Sequence, residues 1–263
     1  MPELPDVEVS KQYLDATSLH QRIVEVEVLA PEMLKDMSVK ELKQVLEGDA
    51  FESSRRHGKY LFINLRNGHF LVLHLGMTGF LTYFKNMEKE PPHERLLIAF
   101  SNGYHLAYDC QRKLGQVALA EDVAAFVEER KLGTDAMEID VDSFKRALSV
   151  TRASIKSALM DQKRIAGIGN IYSDEILFQA GVHPQKKASQ LDESSVEKLF
   201  RAMKEVLSSA VECRADPERF PKDYLIPHRR VDKICPKCGG DIETAKVSGR
   251  TAYFCPNCQG SHQ

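Results

Sequence analysis

Four of the six cysteines in this 263-residue chain fall near its C-terminal end, spaced Cys235-x2-Cys238-x16-Cys255-x2-Cys258. Two CxxC turns separated by a short hairpin match the spacing of a four-thiolate zinc site. Each turn offers two thiolates to one tetrahedral Zn2+, and four protein ligands leave no position open for water or substrate. The spacing therefore predicts one structural Zn2+. Val247-Ser248-Gly249-Arg250 would form the hairpin between the turns. Disulfides are the weaker reading, because the N-terminus lacks the basic-then-apolar order of a secretory signal. A zinc hairpin does not define a function: it could grip DNA, RNA or protein, or only brace the chain.

A second stretch that could carry chemistry is Ile165-Ala-Gly-Ile-Gly-Asn-Ile-Tyr172, where a glycine turn leads into a helix starting near Asn170. Small residues let something approach the backbone closely, and a helix N-terminus offers N–H groups and a positive dipole end. Phosphate is the guest that this suggests, although many helix hairpins use glycine only to turn. The net charge of -2 does not advertise a nucleic-acid partner. DNA binding would need local concentrations of charge, and three clusters offer them: Arg55, Arg56 and Lys59; Arg112 and Lys113; His228, Arg229 and Arg230. Any one of these taken alone reads more simply as a solvated patch.

The elements that must position these residues differ along the chain. Leu4, Val7, Lys11 and Leu14 share a face at helical spacing, and Pro2 and Pro5 suit a helix start. Val24, Val26 and Val28 alternate with Glu25 and Glu27, the period of a half-buried strand. Asn67-Gly68 and Asn102-Gly103 each separate two β-rich runs, which predicts hairpins with type I′ turns. Residues 22–120 thus read as an antiparallel sandwich or barrel. Gly76 and Gly79 interrupt an apolar strand, as a bulge or as a tight turn that lifts Met77 outward. Beyond a charged boundary near 121–140 the chain turns helical. Val196, Leu199, Phe200, Met203, Val206, Leu207 and Ala210 form a core-facing stripe behind a candidate cap, Asp192. Residues 215–233 are polar, carry three prolines and read as a linker. No run of about 18 apolar residues suggests a membrane span, and a cytoplasmic location is the default.

Taken together, the motifs resemble one family. Met1-Pro2-Glu3-Leu4-Pro5, His57-Gly58-Lys59-Tyr60, His74-Leu-Gly-Met-Thr-Gly79, Ile165 to Tyr172 and the zinc hairpin occur in order over residues 2–259. The whole is similar to the formamidopyrimidine-DNA glycosylase / endonuclease VIII family. That resemblance implies an α+β multidomain fold. An N-terminal antiparallel β-sandwich with a leading helix would span residues 1–125, a helix-two-turn-helix domain 126–220, and a C-terminal zinc β-hairpin 228–263. It implies a base-excision-repair glycosylase with lyase activity. The partner would be double-stranded DNA holding a damaged base or abasic site, bound by a monomer with no membrane involved.

The resemblance also implies roles. Pro2, exposed as the N-terminus once Met1 is removed, would attack C1′. Physics supports an α-amine, whose reference pKa is ~8 against ~10.4 for lysine, so more of it is neutral at pH 7. The resulting Schiff base is an electron sink for strand cleavage. Glu3 would be the general acid/base, Lys59 a proton donor and phosphate contact, and Arg250 a phosphate grip that assists δ-elimination. Asn170 would bind phosphate. His93, Arg112 and Lys156 fall where DNA contacts are expected. Met77, with Arg112 and Leu114 on a second loop, would fill the hole left by an extruded nucleotide. Each has a plainer alternative: helix-start proline, dipole-compensating glutamate, strand-edge lysine, hairpin-tip arginine, helix-capping asparagine.

The sequence departs from the family pattern at Cys110 and Gln111, which stand in place of Asp-Pro, and at Leu114, which stands in place of a stacking Phe. Asp6 stands where Glu is common. A glycine-rich cap over an extruded purine is not visible, its place being taken by Phe220 to Arg230. Oxidised or ring-opened purines are the expected lesions, with oxidised pyrimidines as the alternative. A catalytically silent damage-binding protein and a zinc-ribbon RNA-binding protein are the rivals from other classes. The presence of Pro2, Glu3, Lys59 and Arg250 argues against silence, and the N-terminal motif is unexplained by RNA binding.

Overall fold

The computed structural model describes residues 2–86 and 91–260. Two compact units emerge, one of Pro2 and residues 6–130, the other of residues 3–5 and 131 onward.

The elements of the first part of the chain are α1 (Leu4–Thr17), β1 (Ile23–Val28), α2 (Val39–Leu46), β2 (Phe51–His57), β3 (Tyr60–Leu65), β4 (Phe70–His74), β5 (Gly79–Phe84), β6 (Glu94–Phe100), β7 (His105–Cys110), β8 (Gln116–Ala120) and α3 (Val123–Glu129). The strands form two antiparallel four-stranded sheets, ordered β1-β6-β7-β5 and β2-β3-β4-β8. Ile23, Val26, Leu96, Ile98, Leu106 and Tyr108 of one sheet share a core with Leu61, Ile63, Leu71 and Leu73 of the other, and α1 contributes Val7 and Leu14. This is the expected sandwich with its leading helix.

Two local expectations are corrected. In β1 the simple alternation fails: Ile23 and Val26 are buried but Val24 is exposed, because a bulge between Ile23 and Glu25 shifts the register against β6. An extra residue on one strand turns the following side chains to the other face. Both Asn-Gly hairpins exist, but neither is type I′. Only Gly68 and Gly103 have positive φ, while Asn67 and Asn102 do not. Gly68 N–H donates to Leu65 O and Leu65 N–H to His69 O; Gly103 and Phe100 repeat the pattern with Phe100 and Tyr104. Both are therefore three-residue loops with a glycine bulge. Each Asn instead accepts the N–H two residues on, that of His69 or Tyr104, through its side-chain oxygen.

The helix α3 packs Val123 and Phe126 against Phe62, Val72 and Ala118. It belongs to the first unit, so a boundary at 125/126 would fall within it.

The second unit holds β9 (Thr134–Asp135), α4 (Val141–Ser149), α5 (Ile155–Met160), β10 (Ile165–Ala166), α6 (Asn170–Ala180), α7 (Glu193–Glu212), β11 (Glu243–Val247), β12 (Arg250–Phe254) and α8 (Pro256–Gln259). Asp140, Ser154 and Asp192 cap α4, α5 and α7 by accepting an N–H three residues on. The stripe on α7 is core as expected, with Leu199, Met203 and Leu207 fully buried. Its neighbour α6 is buried from Tyr172 through Phe178, including Ser173, Asp174 and Glu175.

Residues 215–233 are not a loose linker. Phe220, Tyr224 and Leu225 are buried, and the Glu175 carboxylate accepts the N–H groups of Leu225 and Ile226 at 3.1 and 2.7 Å. A polar composition with prolines concealed three apolar anchors and a buried carboxylate that fixes the backbone. Among the described residues, no helix is long and apolar enough to cross a membrane.

Candidate active site and zinc centre

Glu3 is fully buried within the second unit, and its carboxylate receives the backbone N–H groups of Gly169, Ile171 and Tyr172 at 2.7, 2.8 and 3.2 Å. These are the otherwise unpaired donors at the start of α6, whose own N-cap position, Gly169, has no side chain to offer. The glycine turn does admit a close guest, but that guest is the chain's own N-terminal segment. A Cβ on Gly169 would lie 2.4 Å from Glu3 Cδ, and one on Gly167 would lie 2.5 Å from Leu4 Cδ1. Gly167 has φ +113, and its carbonyl accepts the Leu4 N–H at 3.0 Å. The expected phosphate seat on the helix N–H groups is thus corrected. A carboxylate already occupies it, and this helix end can address a phosphate through the Asn170 side chain instead.

Asn170 is the first residue of α6, half-buried, and its side-chain oxygen has no partner. Beneath it lies Lys156, expected at the DNA surface but fully buried here. Its ammonium donates to Asn170 O at 3.0 Å, Ser173 Oγ at 2.9 Å and Asp174 Oδ1 at 2.5 Å. Burial pushes the Lys156 ammonium below its ordinary pKa, and Asp174 opposes that shift. Lys156 therefore supports the α6 N-terminus from inside. The basic run at 228–230 is likewise divided, since Arg229 pairs with Asp174 and Arg230 with Asp232.

The strands β11 and β12 form the zinc hairpin, with Val247 opposite Arg250 and positive φ at Ser248 and Gly249. Arg250 is exposed at its tip, and its guanidinium lies 3.6 Å from Met160 Sδ. The Sγ atoms of Cys235, Cys238, Cys255 and Cys258 lie within 4.8 Å of one another. The closest pairs are Cys238–Cys255 at 3.5 Å and Cys235–Cys258 at 3.7 Å. A tetrahedron with Zn–S bonds of about 2.3 Å has S–S edges of about 3.8 Å. The four thiolates fit one structural Zn2+.

In the first unit, Lys59 lies in the two-residue turn between β2 and β3, yet it is only 9% exposed. His74, at the end of β4, is pushed down to about 4 by burial, with the Lys59 ammonium adding to the shift. Neutral at physiological pH, it accepts the Gly76 N–H at Nδ1 at 3.2 Å and packs 4.9 Å from the Tyr60 ring. Gly76, at φ +64, faces the 112–115 loop so closely that a Cβ would lie 2.5 Å from Gly115 N and Leu114 C. Arg112 N–H reaches Thr78 Oγ1 at 3.3 Å. The two loops that carry Met77, Arg112 and Leu114 are therefore held against each other, with all three residues exposed. His93 is half-buried, and its backbone N–H is held by the buried Asp109 carboxylate at 2.8 Å.

Three family models match the chain: the formamidopyrimidine-DNA glycosylase N-terminal domain over residues 1–117, the corresponding H2TH domain over 132–221, and the zinc finger found in FPG and IleRS over 233–260. The chain belongs to the formamidopyrimidine-DNA glycosylase family. Relatives of that name from Pelotomaculum thermopropionicum and Streptococcus mutans are each 34% identical to it, over 98% of this chain and 99% of theirs. A solved complex of Lactococcus lactis Fpg with DNA containing an abasic site superposes with a TM-score of 0.89 at 29% identity, covering 98% of this chain and 100% of that one. A complex of the same enzyme with Fapy-dG DNA gives 0.90 at 30%, with the same coverage. This family member is a base-excision-repair DNA glycosylase with the zinc finger and H2TH fold of its relatives.

Sequence reasoning had not singled out His74 or Asp174 within this glycosylase, and had read Arg229 only as one member of a basic cluster. His74 had a signal, as the first residue of the His-Leu-Gly-Met-Thr-Gly motif. Asp174 had none, since an acidic residue in a helix usually reads as surface.

Proposed function

We propose that this glycosylase is bifunctional and uses the Pro2 amine as nucleophile. With Met1 removed, the amine attacks C1′ while the damaged base departs with the bonding pair. Glu3 protonates the ring oxygen, and the opened sugar remains bound as an iminium at Pro2. Loss of a C2′ proton then breaks the 3′ C–O bond, and a second elimination breaks the 5′ one. Lys59 supplies protons and a phosphate contact, and Asn170 and Arg250 grip the backbone. Met77, Arg112, Leu114 and His93 contact the duplex around the extruded nucleotide. Met1 itself lies outside the described residues.

The observation that carries this reading is the seating of Glu3. A carboxylate consecutive with the proline is buried and oriented by three N–H donors at the start of the helix that Asn170 begins. A surface glutamate that merely compensated a helix dipole would not be enclosed by another segment. Ring-opened purines are favoured as substrate: the curated relatives carry the Fpg name, and one structural relative holds Fapy-dG. The enzyme would act as a monomer in the cytoplasm, associated with the nucleoid when on DNA.

Borohydride trapping on duplexes carrying ring-opened purine, 8-oxoguanine, oxidised pyrimidine or an abasic site tests the reading. A covalent product, formed fastest with the ring-opened purine among the base lesions, is expected. No covalent product with any substrate would overturn the lyase assignment, and faster reaction with oxidised pyrimidines would overturn the substrate assignment.

A further inference from the structure

Three charged side chains meet beneath the first turn of α6, and the chemistry above uses none of them. Asp174 and Lys156 are completely buried, and Arg229 is 14% exposed. One Asp174 oxygen accepts from Lys156. The other accepts from Arg229 Nε at 3.1 Å and Nη2 at 2.8 Å, and from the backbone N–H of Tyr253 at 3.2 Å. Arg229 Nη2 also reaches the Asn170 carbonyl at 3.4 Å, joining Lys156 there. The Arg229 guanidinium lies 5.0 Å from the Tyr253 ring centroid.

Desolvating three charges is a poor way to gain stability, because well-packed apolar residues often hold a fold equally well. What the cluster supplies is direction. Each of its contacts outside the cluster ends on α6 or on β12. The α6 contacts converge on Asn170 and Ser173. The β12 contact is at Tyr253, three residues along the strand from Arg250. The two expected phosphate ligands are therefore spaced by a single carboxylate. The buried Glu3 carboxylate on the same helix end also acts on Lys156, so the two cations are matched by two carboxylates around the α6 N-terminus.

We propose that Asp174 is a positioning residue for DNA. It fixes Arg250 on the zinc hairpin and Asn170 on α6 at one separation, so that both grip the backbone of a single lesion site. This rests on the reading of Asn170 and Arg250 as phosphate ligands. Asp174→Asn keeps the shape and an acceptor for Tyr253 while removing the charge that holds Lys156 and Arg229.

The test is a double-mutant cycle on the full, zinc-loaded chain, using Asp174→Asn, Arg250→Ala and both together. Binding to a tetrahydrofuran-containing duplex is measured across a salt series, with borohydride trapping on an abasic duplex as the activity check. Each single change should weaken binding about tenfold and the pair little more, because residues acting as one unit are not additive. Asp174→Asn should also flatten the salt dependence by about one phosphate contact, a slope change of ~0.9, although no phosphate ligand has been removed. Independent, multiplying losses, or wild-type affinity and slope in Asp174→Asn, would overturn the proposal. Should Asp174→Asn lose zinc or fold, Arg229→Lys replaces it in the same cycle with the same two outcomes. Wild-type binding by Arg250→Ala alone would instead remove the phosphate reading beneath the proposal.

Discussion

Gly169→Ala isolates the seat of Glu3. Gly169 has φ -130, which any residue adopts, so the change introduces no backbone strain. The three atoms nearest the new methyl all belong to Glu3, whose Cδ, Oε1 and Cγ would lie 2.4, 2.5 and 2.8 Å away. The carboxylate must move, and the N–H groups of Gly169, Ile171 and Tyr172 lose part or all of their acceptor. Hydrogen bonds to a charged group contribute roughly 1.5–3 kcal/mol each. Rotation of the carboxylate could retain one or two of the three, leaving an expected loss of about 1.5–6 kcal/mol. For a protein of this size that lowers Tm by roughly 3–24 °C. The assay is urea unfolding of four proteins: wild type, Gly169→Ala, Glu3→Ala and the double variant. In the Glu3→Ala background those three nearest atoms are gone, so Gly169→Ala should there cost under about 0.5 kcal/mol, in line with its otherwise permissive backbone. Trapping at an abasic site should fall with the stability in Gly169→Ala. Equal costs in both backgrounds would refute the reasoning, since the methyl would then be acting elsewhere.

Four further outcomes follow from the same geometry. Metal analysis should find one zinc per chain, and chelation should weaken DNA binding, because Cys235 and Cys255 share a small core with Phe178 and Leu225 and metal binding is coupled to folding in such units. Burial pushes Glu175 up to about 7 from 4.5, so the folded state holds that proton more tightly than the unfolded one. Its contribution to stability is full below pH 4.5 and is lost as pH rises through 7, at most about 3 kcal/mol; Glu175→Gln should flatten the change in urea midpoint across that window. Met77→Ala should slow single-turnover processing of a duplex lesion far more than of an abasic site in single-stranded DNA, where no unstacking of a few kcal/mol is needed. Leu114→Phe should shift opposite-base preference more than Schiff-base formation. Equal loss on both substrates for Met77→Ala would remove the wedge assignment.

The features legible in the sequence are those whose physics is local. The zinc site could be read because its two turns each carry their ligands within four residues. The α7 stripe could be read because burial there follows helical period. The hairpins could be located from Asn-Gly, but their turn type could not. A glycine bulge also accommodates that pair, and the choice depends on how the flanking strands register. The β1 bulge was hidden for the same reason. The α6 N-terminus is the more instructive failure. Glycines announced that something would come close, yet the guest was a residue 166 positions earlier. Lys156 looked like a surface cation because nothing in its neighbourhood advertises Asp174, which reaches it from another helix. Residues 215–233 looked like a linker because Phe220, Tyr224 and Leu225 are too few to make a pattern, and their anchor is Glu175.

The central claim is that the amine of Pro2 forms the covalent bond to the sugar. It is tested most directly by trapping the protein on an abasic duplex with borohydride, digesting away protein and DNA, and sequencing the modified peptide by mass spectrometry. The account predicts a chain that begins at Pro2, with the reduced sugar remnant on its nitrogen. It also predicts that a variant retaining a residue before Pro2 traps nothing. A remnant on Lys59 or any other lysine, or undiminished trapping by protein that keeps Met1, would contradict it.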